Sequence, residues 1–317
     1  MNPPSGQIYG LIGYPVKHSL SPVMHNTAFR HLGIDAKYRL FPVKPEELEA
    51  FLLEDIAVKD INGNEVRAKE ISGFNVTIPH KVRTKQILEK EFPPDKSAPG
   101  ALMISRYADL VGAVNTVQRV GEKLEYYNTD ALGFEKSLSR DLDFDTYEKN
   151  ALVLGCGGAG RAVIAALCCK GNRINRVNVF DASAEAADSA KKHFSQFPGI
   201  MKLIEFVSAE RIPRVIKDCQ LLINTTPVGM KQGDASVIDK ALLHDELYVY
   251  DVVYNRETQL IKDAKSLRLR AAGGLGMLLY QGVAAFEKWT DKTLSFITIN
   301  AMKQALRKEL NKRSGYA

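Results

Sequence analysis

A chain of 317 residues has room for two domains of ordinary size, and its 45% hydrophobic and 25% charged shares are those of an average globular protein, which sets disordered and fibrous classes aside. No apolar run approaches the ~18 residues of a membrane helix, and Met1-Asn2-Pro3-Pro4-Ser5-Gly6 lacks the charged and apolar regions of a signal peptide, so a cytoplasmic protein is expected. The net charge of +6 lies partly around Lys303, Arg307, Lys308, Lys312 and Arg313; Glu309 interrupts that run and no aromatic residues alternate with it, so it reads as a solvated helix face and not a nucleic-acid patch.

In chain order, Ile8 to Ile12 reads as a strand, and the loop from Gly13 to Pro22 enters a helix at Ser21-Pro22, with Ser21 as cap. Capping does not account for Ser19. Two hydroxyls two residues apart, beside free helix N–H groups, make a cradle for a carboxylate. Lys37 to Phe41 is a second strand and Pro45 to Leu53 a helix. The polar stretch Asp55 to Glu70, with Asn62-Gly63-Asn64 at its middle, suggests a turn or small hairpin projecting from the surface. Gly73 to Val76 is a buried strand, and Asn75-Val76-Thr77-Ile78-Pro79-His80-Lys81 turns it into a helix from Val82 to Glu89. A lysine at such a mouth is either simply solvated or, among fixed polar groups, able to move protons. Phe92 to Gly100 reads as a proline-rich loop. Gly112-Ala113-Val114-Asn115-Thr116 begins the next strand, and Leu124 to Asn128 pairs with it across Gly121. Asn128-Thr129-Asp130 then opens a helix that Asp130 equally well caps, which sets a domain boundary near Asp130.

Asn150 to Ser183 is the most informative stretch. Ala151 to Leu154 is a short apolar run suited to a strand buried on both faces, and Gly155-Cys156-Gly157-Gly158-Ala159-Gly160 follows at once. Arg161 to Lys170 has helical spacing, with Gly171 as C-cap, and Val177 to Phe180 is a second strand closed by Asp181. Strand, glycine turn, helix, strand and acid together indicate a dinucleotide site, in which the glycines make the tight turn, admit a pyrophosphate and let helix and strand pack closely. Further on, Leu221 to Asn224 and Tyr248 to Val253 are strands ending in polar segments, where ligands of an open parallel sheet bind. Gly273-Gly274-Leu275-Gly276-Met277 leads into a helix carrying Gln281, and another helix runs through Thr298 to Leu310. The four cysteines, 156, 168, 169 and 219, form no Cys-x-x-Cys pair, and three read as buried thiols. No cluster of His, Asp and Glu suggests a metal.

Ser19-Leu20-Ser21-Pro22, Asn75 through Lys81, Gly112 through Thr116, Asn128-Thr129-Asp130, Asn224 through Met230 and Gly274 through Met277 together resemble the shikimate and quinate/shikimate dehydrogenases, from Gly10 to about Gly282. The resemblance implies an α/β protein: an N-terminal α/β substrate domain over residues 1–129, completed by C-terminal helices within 274–317, and a Rossmann-type nucleotide-binding domain with a parallel sheet over 130–273. It implies Lys81 and Asp130 as catalytic residues, Ser19 and Ser21 on a substrate carboxylate, and Asn75, Thr77, Asn115, Tyr254 and Gln281 around ring hydroxyls. On the cofactor side it implies the turn Gly155, Gly157, Gly158 and Ala159 at the pyrophosphate, with Thr225, Val252, Gly274 and Met277 toward the nicotinamide. The expected reaction is reversible reduction of 3-dehydroshikimate to shikimate. Quinate as substrate, or a sensor that binds without turnover, are the alternatives. Assembly is expected to stop at monomer or homodimer, with neither membrane nor nucleic-acid partners. The Asp55 to Glu70 segment looks longer than usual, and the stretch between Phe92 and Ala108 is atypical. Many relatives use NADP and carry an arginine after the second Rossmann strand. Here Asp181-Ala182-Ser183 stands instead, so NAD is the expected cofactor, since a carboxylate accepts from a ribose 2′-hydroxyl and repels a phosphate.

Overall fold

The computed structural model describes residues 6–93, 107–169 and 173–313. The chain forms two compact units: one takes the residues up to Thr129 together with those from Gln281 onward, the other is Asp130–Tyr280.

The first unit is built on a five-stranded sheet in the order β2-β1-β5-β6-β7. β1 (Gln7–Gly13) pairs in parallel with β2 (Ala36–Pro42) and β5 (Ile71–Val76), while β6 (Thr116–Val120) runs antiparallel to β5 and to β7 (Lys123–Tyr127). The central strands β1 and β5 are largely buried because both faces are covered. On one face Ile12, Phe41, Phe74 and Val117 meet Phe51 of α2 (Leu48–Leu53) and Leu88 of α3 (Lys81–Glu91). The other face is aromatic. Tyr9 stacks on Phe29 of α1 (Ser21–His31) at 5.2 Å between centroids and meets Trp289 at 5.3 Å. Trp289 ends its helix near the sheet, and its indole N–H donates to the Val117 carbonyl at 2.9 Å. A Cβ on Gly73 would lie 2.5 Å from that indole, so the glycine there makes room for it.

Two local expectations need correction. The residue before α1 is Leu20, so Ser21 is the first helical residue and makes no cap bond; the Ser19 hydroxyl instead accepts from the Ser21 N–H at 3.2 Å. Ser19 is thus the residue that serves the helix start. The polar segment is indeed a hairpin, β3 (Ala57–Lys59) against β4 (Glu65–Arg67), with Gly63 at φ +84° in its turn. It does not merely project, because Asp60 and Val66 are buried and the Ile61 N–H donates to the Leu40 carbonyl at 3.0 Å. The Asp60 carboxylate closes the turn by accepting from the N–H groups of Asn62 (2.8 Å) and Asn64 (3.0 Å). The helix expected over 45–53 opens as a 3₁₀ turn, Pro45–Glu47. α3 starts at Lys81 itself, and β6 begins only at Thr116. Most of the loop expected from Phe92 to Gly100, and of the atypical stretch to Ala108, lies outside the described residues, as does Gly171.

The second unit holds an all-parallel sheet in the order β10-β9-β8-β11-β12-β13. Its strands are β8 (Asn150–Leu154), β9 (Arg176–Phe180), β10 (Ile204–Phe206), β11 (Leu221–Asn224), β12 (Tyr248–Asp251) and β13 (Ala271–Gly273). Counted within the unit this is 3-2-1-4-5-6, the doubly wound dinucleotide-binding order. α4 (Asp130–Asp141), α5 (Gly158–Cys168), α6 (Ala184–Phe194) and α7 (Gln259–Ser266) accompany it. α8 (Leu275–Thr290) starts in this unit and α9 (Phe296–Arg313) belongs to the first. The return to the first unit therefore falls inside α8, later than Gly274, because β13 pairs with β12 and Gly276 packs against α4. Cys156, Cys168 and Cys219 are buried and all four thiols are free; burial pushes Cys168 and Cys219 up to about 12, so they stay protonated. Among the described residues no helix is long and apolar enough to cross a membrane.

Candidate active site

In the first unit three of the predicted substrate residues, Asn75, Asn115 and Gln281, share one buried polar network. Asn115 is its centre: its side-chain oxygen accepts from the Thr129 N–H at 2.7 Å, and its Nδ2 donates to Thr129 Oγ1 at 3.0 Å and toward Gln281 Oε1 at 3.5 Å. Asn75 donates from Nδ2 to the Asn115 carbonyl (3.2 Å) and Thr116 Oγ1 (3.0 Å). Its Oδ1 accepts from the Tyr38 hydroxyl at 2.8 Å. The network thus runs from Tyr38 through Asn75 and Asn115 to Gln281. Burial drives the Tyr38 pKa well above the usual phenol value, with Ser21 pulling the other way, so the hydroxyl stays protonated and donating.

Tyr38 escaped the sequence reading, and Thr116 and Thr129, though inside the quoted motifs, were given no role. A tyrosine facing inward on an apolar strand was the available signal for the first, since a buried phenol needs a partner. Thr77 follows β5, where its N–H donates to the Ile12 carbonyl at 2.9 Å. Lys81 opens α3, and its carbonyl accepts from the Val114 N–H at 3.0 Å, which joins the lysine's backbone to the segment leading into Asn115. Behind the network His25 is fully buried, stacked on Tyr38 at 4.4 Å, and neither ring nitrogen has a hydrogen-bond partner. The Asn75 amide beside it is engaged by Tyr38, Asn115 and Thr116.

The second unit carries the remaining predicted residues. Gly155, at φ +95°, makes the tight turn, and a Cβ there would lie 2.8 Å from Thr225 Oγ1. A Cβ on Gly160 would strike the Gly155 carbonyl, so this glycine sets the close helix-to-strand approach. Gly157 and Gly158 face open space, with no atom within 4 Å of an added Cβ, and the first N–H groups of α5 are there for an anion. The tight turn and the close packing thus fall to Gly155 and Gly160. Thr225 braces the turn, its hydroxyl lying 2.8 Å from the Gly155 carbonyl and 3.0 Å from that of Leu154.

Asp181 stands at the end of β9. Its Oδ2 accepts from the Cys156 N–H at 2.8 Å and its Oδ1 from the Ser183 N–H at 2.9 Å. Burial would raise its pKa, but those donors outweigh it and hold the carboxyl below its usual value. Ser183, not Asp181, caps α6, by accepting from the Ala186 N–H at 3.2 Å. The open glycine turn with its free N–H donors and this carboxylate acceptor are a combination that fits a dinucleotide.

Val252 and Gly274 lie together, since a Cβ on Gly274 would overlap the Val252 backbone. The polar segments after β11 and β12 are held by a residue the sequence reading gave no role. The buried Asp251 carboxylate accepts from Thr258 Oγ1 (2.7 Å), Asn224 Nδ2 (3.0 Å) and the Val253 N–H (3.0 Å). Tyr254, just beyond, is exposed, and Met277 is buried in the first turn of α8. Asp130 is the first residue of α4, bonded directly to the Thr129 that Asn115 holds. Among the described residues no group of three His, Cys, Asp or Glu could hold a metal ion.

Comparison with known proteins agrees with both halves. Residues 11–117 match the family described as shikimate dehydrogenase substrate binding domain, and residues 274–307 the shikimate 5′-dehydrogenase C-terminal domain. The shikimate dehydrogenase (NADP(+)) of Halothermothrix orenii is 37% identical over 290 residues, 90% of this chain and 91% of the relative. A crystal structure of shikimate 5-dehydrogenase from Listeria monocytogenes, in complex with shikimate and NAD, is 29% identical with a TM-score of 0.76, covering 95% of this chain and 96% of its own. The Thermus thermophilus enzyme, in complex with NADP(H) and shikimate, is 30% identical with a TM-score of 0.75 over 95% of this chain and 99% of its own. A parallel sheet in the dinucleotide-binding strand order and relatives matched over nearly their whole length lead to one conclusion: this chain belongs to the shikimate dehydrogenase family.

Proposed function

We propose that the protein catalyses the reversible reduction of 3-dehydroshikimate to shikimate with a nicotinamide cofactor. The observation that carries this is the buried network joining Tyr38, Asn75, Asn115, Thr129 and Gln281, a set of fixed donors and acceptors suited to a small polyol. Ser19 and Ser21 hold the carboxylate. Thr77, Asn75, Asn115, Tyr254 and Gln281 orient the ring hydroxyls. Thr225, Val252, Gly274 and Met277 would line the place of the nicotinamide, which would supply the hydride when bound. Lys81 donates a proton to the carbonyl oxygen as it becomes an alcohol and removes it in the reverse direction, and Asp130 orients the ammonium and the substrate hydroxyl. Lys81→Ala is expected to lower turnover by ~100-fold or more while the Michaelis constant changes less. Near wild-type turnover in that variant would remove Lys81 from the mechanism. Measuring kcat/KM for shikimate and quinate side by side ranks the two acids, with shikimate expected to be the better; no turnover of either would favour a sensor.

For the cofactor we infer a preference for NAD(H), although the curated relatives are named for NADP(+). The support is Asp181, whose charge and fixed orientation suit a ribose 2′-hydroxyl and oppose a 2′-phosphate, with Ala182 offering no cation. The expected margin is at least ~10-fold in kcat/KM, or ~1.4 kcal/mol. Asp181→Ala combined with Ala182→Arg should shift the preference toward NADP(H). Better use of NADP(H) by the unmodified protein would overturn the assignment.

A further inference from the structure

α8 begins directly after Gly274, whose carbonyl accepts the first intrahelical bond, from the Leu278 N–H at 3.0 Å. A glycine before the helix has no side chain with which to satisfy the first-turn N–H groups. Tyr250, fully buried in β12, presents its hydroxyl to this turn from outside the helix, where the Met277 N–H pulls its pKa down against the raising effect of burial. The same hydroxyl donates to Ser137 Oγ at 2.7 Å, and Ser137 donates to Asp141 Oδ2 at 2.8 Å. The two side-chain bonds therefore point the same way, from the Tyr250 hydroxyl to a carboxylate, an arrangement in which successive bonds polarise one another and negative charge faces the positive helix end. Gly276 shows how closely this group is pressed against the helix start. A Cβ there would overlap both Asp141 Oδ2 and Ser137 Oγ. Burial raises the Tyr250 pKa, which keeps the hydroxyl protonated and donating.

We infer that Tyr250, Ser137 and Asp141 form a positioning relay that fixes the Gly276–Met277 step and, through it, the cofactor end of the hydride transfer. This rests on the assignment of Gly274 and Met277 to the nicotinamide. The three residues touch no reacting atom; they act through the backbone of α8. Tyr250→Phe is the cleanest probe, since it keeps the ring and its edge-on packing against Phe134 (5.1 Å between centroids) and removes only the hydroxyl. Ser137→Ala breaks the next link.

Two readouts on the full-length protein test the relay. Hydrogen exchange at the Met277 amide is expected to be about tenfold or more faster in Tyr250→Phe, with amides of β8 and β11 unchanged. Oxidation of shikimate, compared with shikimate deuterated at the carbon that gives up the hydride, is expected to show kcat lowered by about tenfold, a larger deuterium effect and a shikimate KM within about twofold. A merely structural role would leave the isotope effect unmoved. Ser137→Ala should change both readouts in the same direction by less. Unchanged exchange at Met277 would overturn the relay whatever the kinetics, and faster exchange with unchanged kcat and isotope effect would overturn its link to hydride transfer. If the unmodified protein fails to oxidise shikimate at all, the proposed function falls, while the exchange measurement still decides the relay.

Discussion

Gly158 and Gly160 stand two residues apart, yet the same substitution should affect them in opposite ways. An alanine methyl at Gly160 meets the Gly155 carbonyl, which is backbone and cannot rotate aside, and Thr225 Oγ1 at 2.8 Å. Gly160→Ala is therefore expected to cost about 1–3 kcal/mol in stability, as overpacked sites do, seen as a lowered midpoint in urea unfolding. At Gly158 the methyl meets nothing, and the residue opens α5, where alanine is the better helix former. Gly158→Ala should keep or raise the melting temperature while weakening NAD(H) binding about tenfold, roughly 1.4 kcal/mol, because the methyl fills the space left for the pyrophosphate. Calorimetry and cofactor titration on the two variants separate the roles. Unimpaired cofactor binding by Gly158→Ala would place the pyrophosphate elsewhere.

At the scale of an element, α1 carries a pH dependence of its own. His25 lies buried in an aromatic nest, and burial lowers its pKa to about 3, the Asn75 side chain pulling slightly the other way. The sign follows from linkage. In the unfolded chain His25 takes up a proton near 6.5, whereas in the folded one it stays neutral down to about 3, so its stabilising effect is complete above pH 6.5 and is lost as pH falls through that window. The loss amounts to a few kcal/mol toward the acid end. His25→Phe, which keeps a stacking ring, should flatten the pH profile of urea unfolding between pH 6.5 and 4; an identical slope in the variant would assign the acid lability to other groups.

Elements of this kind were legible in the sequence to differing degrees. The strand, glycine turn, helix, strand and acid from Asn150 to Asp181 could be read because each demands a particular residue type at a particular place, and β11 begins and ends where its apolar run does. Helix starts were harder. Ser21 looks like a cap, but Ser19 makes the bond, since capping depends on backbone angles that residue type alone does not specify. Tyr38 and Asp251 were missed as site-forming residues because their partners lie far away in sequence: Tyr38 meets Asn75, and Asp251 meets Asn224.

For the molecule as a whole, the chain order matters: it leaves the first unit after Thr129 and supplies that unit again from Gln281 onward. What the returning segment brings is mostly aromatic surface. Trp289, the single tryptophan, closes over Gly73 and Tyr9, while Phe286 packs on Phe29 at 4.9 Å. Trp289→Ala removes a large buried ring and leaves the Val117 carbonyl without its indole donor, so a loss of about 3–5 kcal/mol is expected. Gln281, on the same helix, reaches toward Asn115 at the centre of the polar network, so loosening the helix should disturb substrate binding. The glycine turn and Asp181 belong to the other unit. Trp289→Ala should therefore raise the Michaelis constant for shikimate by about tenfold or more while the dissociation constant of NAD(H) stays within about twofold. Equilibrium unfolding followed by circular dichroism, with cofactor titration and initial rates on the same preparation, checks both parts. Equal weakening of substrate and cofactor would mean that the returning segment supports both sites, and the separation of roles between the two units would have to be abandoned.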